Sequence, residues 1–138
     1  MPQEDYLLKY LEKLSRVIAA MLGFREKGLP EEAIKVADET FKELLDLKLI
    51  ELEKMTSESF IEKIRETRYS ASFIGLLAEL TYETAENKAI INDISAKSYY
   101  QKSLELFNYL NEKDKTYSFD RELKIEEIKS KIEELTIN

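Results

Sequence analysis

The chain has 138 residues, carries 21 Lys and Arg against 28 Asp and Glu for a formal net charge of −7, and contains neither Cys nor His. Those two absences exclude disulfides, thiolate metal centres, cysteine nucleophiles, Ser/His/Asp triads and the His-bearing ligand sets of di-iron bundles. The length suits one domain, the acidic balance speaks against nucleic acid and anionic membrane surfaces as partners, and three Gly and two Pro are too few for a turn-rich sheet, so an all-α fold of five to seven helices is expected.

The first segment places Tyr6, Leu7, Tyr10, Leu11, Leu14, Val17, Ile18, Met21 and Leu22 at alternating gaps of three and four, one stripe of a helix. Glu4 and Asp5 fall in its first turn, where the helix dipole favours negative charge. Gly28 ends it, with Arg25 and Lys27 near the carbonyl end. Pro30 suits the first turn of a second helix, where its missing N–H has no intrahelical partner. The face of that helix is Ala33, Ile34, Ala37, Phe41, Leu44 and Leu45, and the short Gly28–Pro30 link predicts an antiparallel hairpin. From Asp46 to Met55 the apolar residues lack a clean period, which reads as a loop with one or two helical turns.

Thr56 or Ser57 fits the N-cap of a short helix ending near Arg68, and Ser70 or Ser72 the cap of the next. That helix runs through Phe73, Ile74, Leu77, Leu80, Thr81, Thr84 and Ala85. Asn87 to Ser95 reads as a connection anchored by Ala89, Ile90, Ile91 and Ile94. Ala96, Tyr99, Tyr100, Ser103, Leu104, Phe107 and Leu110 define another helix, and Asn111 to Thr116 break the pattern. Ser118 caps the last helix, with Tyr117 and Phe119 as a hydrophobic staple before it. Its stripe, Ile125, Ile128, Ile132 and Leu135, is narrow enough for a helix packed on one neighbour. No basic region followed by an apolar run opens the chain. The longest apolar stretch, Val17 to Leu22, is far short of a membrane span, and a cytoplasmic location is expected.

In two places the helix pairs resemble the tetratricopeptide repeat, a helical hairpin with Gly at the turn, an early Ala in the second helix, then an aromatic and a small residue. Gly28-Leu29-Pro30-Glu31-Glu32-Ala33 carries the turn and the Ala, with Ala37 where the aromatic is usual. Ala96, Tyr100, Ser103 and Leu104 carry the second-helix pattern, after a longer turn without Gly. The resemblance covers about half the chain and implies stacked hairpins around a binding groove. The family's clamp for a terminal carboxylate needs Lys and Asn on a side that here presents Ile18 and Leu22, so that specificity does not carry over. The run Gln3-Glu4-Asp5-Tyr6-Leu7-Leu8, with Leu22-Gly23 and the hairpin that follows, also resembles an uncharacterised bacterial helical family of unknown function and supplies no chemistry.

Glu79, Glu83 and Glu86 line one side of a helix at gaps of four and three. With help from a second helix they could hold a divalent cation, but no acidic loop motif accompanies them, and they read as a solvated acidic face. The basic residues from Lys124 to Lys131 interleave with Glu126 and Glu127, the mixture of a solvated helix face. Isolated glycines at 23, 28 and 75 form no phosphate-cradling loop. No catalytic residue, cofactor or metal ligand is therefore expected. The expected function is non-catalytic binding of a protein or peptide segment in a helical groove, with Ile18, Leu22, Tyr82 and Tyr99 as anchors. The alternatives are a homo-oligomer paired through the last helix and, from a different class, a small-molecule or divalent-metal binder.

Overall fold

The computed structural model describes residues 2–67 and 69–137, with side chains from residue 8 onward. The side chains of Tyr6 and Leu7, and Arg68 as a helix end, lie outside that description. Among the described residues the fold is all-α: α1 (Pro2–Glu26), α2 (Pro30–Leu45), α3 (Leu49–Lys54), α4 (Ser57–Thr67), α5 (Ala71–Ile90), α6 (Ala96–Lys113) and α7 (Phe119–Ile137), with no strand. None of these helices is long and apolar enough to cross a membrane.

Local chemistry sets the boundaries. Gly28 takes φ 76°, the left-handed conformation that turns the chain between α1 and α2, and Pro30 opens α2. Asp46 ends α2 at φ 55°. The unclear stretch after it holds α3, whose first turn is tied back to α2 because Leu49 N–H donates to Asp38 Oδ1 at 2.8 Å. Thr56 Oγ1 accepts from Ser59 N–H at the head of α4, Ser70 Oγ from Phe73 N–H at the head of α5, and Ser118 Oγ from Arg121 N–H at the head of α7.

Helix α5 is the centre. It buries residues on every side, including Phe73, Ile74, Leu77, Leu80 and Ala85, as expected of a helix with apolar groups all round. The buried hydroxyls of Thr81 and Thr84 donate to the carbonyls of Leu77 and Leu80 one turn back, so burying them leaves no unpaired donor. Small residues bring α6 close: Ser103 Oγ donates to Ala78 O at 2.9 Å, and a side chain at Gly75 would meet Leu110 at 3.4 Å. The α1–α2 hairpin packs on the other side of α5. Arg25 beside Glu83 sets the end of α1 against the second half of α5, and the Tyr69 hydroxyl on Leu44 O sets the start of α5 beside the end of α2. Helices α1 and α5 therefore run parallel. Helix α7 lies antiparallel on α6, and so parallel to α5, through buried Ile125 and Ile128.

Two expectations fail on burial. Helix α5 runs on through Ile90, and Ile90, Ile91 and Ile94 point into solvent instead of anchoring the connection. Tyr117 and Phe119 are exposed as well, so they form no staple.

Candidate interaction surface

Glu79, Glu83 and Glu86 do not form a solvated face. The row turns inward, towards cations on two other helices. Arg25 of α1 lies 2.7 Å from Glu83 and 3.7 Å from Glu86. From α7, Lys131 reaches Glu86 at 4.0 Å, and Lys124 lies over the Tyr82 ring, 4.0 Å from its centroid. The Tyr82 hydroxyl donates to Glu127 at 2.5 Å, and the Tyr100 hydroxyl of α6 donates to Glu86 at 2.9 Å. Four helices meet in this polar seam.

Burial governs its electrostatics. Glu83 is only 7 % exposed. Burial pushes its carboxyl above the usual range, and Arg25 offsets only part of that shift. Burial likewise raises Glu79, with Lys124 opposing. Tyr82 and Tyr100 are held far above the ordinary phenol range, first by burial and then by the carboxylates beside them, so both remain hydrogen-bond donors. The Tyr82 hydrogen bond holds Glu127 below its usual value. Paired in this way, the row serves to join helices. Among the described residues no three carboxylates converge in a geometry that would hold a metal ion.

The expected anchors separate. Ile18 is half-buried and Leu22 is 39 % exposed. Both share the stripe of α1 that carries Arg25, at gaps of four and three, and so border the seam. Tyr82 and Tyr99 are corrections. Both are buried, Tyr82 under α7 and Tyr99 against α3, where its hydroxyl donates to Leu49 O at 3.1 Å. Adjacent positions on α6 send Tyr99 and Tyr100 to different neighbours, and the surrounding helices cover both. Of the stripe expected to pair the last helix with another chain, Ile125 and Ile128 are buried and Ile132 is half-buried within the fold, whereas Leu135 is exposed.

One apolar surface left open lies just beyond the seam. Arg25, Glu86 and Lys131 meet around Glu86; one turn further along α5 and α7 stand Ile90 and Leu135, and the α1–α2 turn adds Leu29. The α5–α6 connection adds Ile91 and Ile94. These five side chains, all at the same end of the bundle, are between 36 and 95 % exposed, Ile94 the most. Sequence reasoning counted the isoleucines as inward anchors, although Asn92 and Asp93 between them already marked a solvent turn. It also missed the inward role of Lys124 and Lys131. Their signal was the shared spacing: Lys124, Glu127 and Lys131 step by three and four, as the α5 row does in reverse.

Architecture and surface together define the class, an all-α bundle with an internal ionic seam and an apolar end. In comparisons with known proteins the chain matches no family model, no curated protein and no solved structure.

Proposed function

We propose that this chain is a non-catalytic protein-interaction module that docks a protein segment on the apolar end formed by Leu29, Ile90, Ile91, Ile94 and Leu135. The observation that carries this reading is the exposure of five large aliphatic residues at one end of the bundle, Ile94 almost completely. Scattered exposed apolar residues are ordinary, whereas a contiguous group marks a contact surface. Burying Ile94 alone on docking contributes about 1.5–3 kcal/mol. The end replaces the groove expected from Ile18, Leu22, Tyr82 and Tyr99. We also propose a tetratricopeptide-like stack for the two hairpins. Support for it comes from the antiparallel α1–α2 and α5–α6 pairs, the parallel α1 and α5, and buried Ala33, Ala96, Tyr100 and Ser103.

A photo-crosslinking residue at Ile94 tests the docking reading in the native cell, with Glu62 on α4 as an exposed control position. A defined adduct from position 94 alone, lost when Ile90 is changed to Asp, is the expected result. Equal adducts from both positions, or none from Ile94, overturn the reading.

A further inference from the structure

We infer that the occupant of the apolar end is a second copy of this chain, the two ends meeting face to face about a two-fold axis. This rests on the docking reading and names the partner.

Area is the first argument. With exposures of 45, 51, 38, 95 and 36 %, Leu29, Ile90, Ile91, Ile94 and Leu135 together leave roughly 450 Å² of apolar side chain in water, the size of the largest patch on a typical monomer, which is often a functional one. A standard interface buries about 800 Å² per partner, of which about 56–65 % is apolar. The end therefore supplies close to the apolar area that one half of such an interface needs. The area is also held in place. Ile90 and Leu135 project from helices fixed one turn below by the contacts of Glu86 with Arg25, Lys131 and the Tyr100 hydroxyl. Docking then orders few side chains, which favours association.

The rim is the second argument. A two-fold contact sets each surface against itself, so a rim of one sign would repel its copy. Around this end both signs occur in close sequence: Glu26 beside Lys27, Glu31 and Glu32 across the turn, and Lys97 at the start of α6, all exposed or partly so. Lys88 pairs with Asp93 at 3.2 Å within the rim. Such a rim presents no single sign that would repel its copy. A dedicated site for a strongly basic partner would instead carry one sign. The net charge of −7 on each chain opposes the approach of two copies, so screening by salt strengthens the pair, whereas salt weakens the hold on a basic partner.

Sedimentation equilibrium of the full chain, from roughly 1 to 300 µM at low and high salt, tests this through mass action. The expected result is a monomer–dimer equilibrium in the micromolar range, tightened by salt. Ile94→Asp, at a fully exposed position, should weaken dimerisation at least tenfold while its circular dichroism and melting remain those of the wild type. Ile90→Asp provides a second reading from α5. A strict monomer throughout the range, a dimer that salt dissociates, or a dimer that neither substitution weakens overturns the inference. A strict monomer that still gives a specific heterologous adduct from position 94 overturns only the second-copy assignment. Absence of both dimer and adduct overturns the docking reading as well.

Discussion

Lys102 offers a sharp test of how burial governs this fold. It lies on α6 at 2 % exposure, and its ammonium donates to Ser98 Oγ at 2.7 Å. Among the described residues no carboxylate reaches it within ion-pair distance, and the charge of Glu53 acts only from further away. Withdrawing an ammonium from water costs several kcal/mol after relaxation, and one charge-assisted hydrogen bond returns about 1.5–3 kcal/mol. Lys102→Met keeps the unbranched chain and removes the charge, so it should stabilise the protein by about 1–3 kcal/mol, or roughly 3–10 °C in Tm for a chain of this size.

The pH dependence makes this test specific. Burial lowers the Lys102 amine from its ordinary 10.5. Between the lowered value and 10.5 the unfolded chain binds more protons than the folded one, so wild-type stability rises with pH through that window. The Met variant lacks this slope, and its advantage should shrink as pH rises toward 10.5. Thermal melts of both proteins from neutral pH to about 10.5 supply the measurement. A Met variant less stable than wild type, or an advantage unchanged across the window, would refute the reasoning.

Other consequences follow from the packing. Tyr99→Ala should destabilise by about 3–5 kcal/mol by opening a cavity, and Tyr99→Phe by about 1–2 kcal/mol by stranding the Leu49 carbonyl, both read from urea denaturation. Arg25→Met strands Glu83 in the seam and should cost about 3–5 kcal/mol at neutral pH. Since burial raises Glu83 in the folded state, the folded chain binds more protons above 4.5, so the Arg25→Met deficit should grow as pH rises through that window and ease as pH falls toward it. A deficit independent of pH would mean that Glu83 escapes to water. Gly28→Ala meets no neighbour within 4 Å but must hold φ 76°, so it should cost about 1–2 kcal/mol from backbone strain alone, measured by the same denaturation.

Much of the fold was legible because local rules act within a few residues. The Gly28–Pro30 turn, the Ser70 and Ser118 caps and the three-four spacing of each stripe are properties of neighbouring residues, and the helices begin and end close to where those signals place them. The candidate site was not legible in the same way. Periodicity states which side chains share a face, but not whether another helix covers that face. Tyr82 and Tyr99 have the amphipathic character of groove residues, yet α7 and α3 cover them. Glu79, Glu83 and Glu86 have the spacing of a solvated row, yet Arg25 and the lysines of α7 draw that row inward.

From the sequence alone came the all-helical class, the hairpin at Gly28 and the want of thiol and imidazole chemistry, since composition, capping and period need no distant partner. The tertiary structure alone decided which charges were desolvated and which isoleucines stayed wet. Desolvation depends on which helices lie side by side, and none of them covers Ile90, Ile91 or Ile94, which stay exposed.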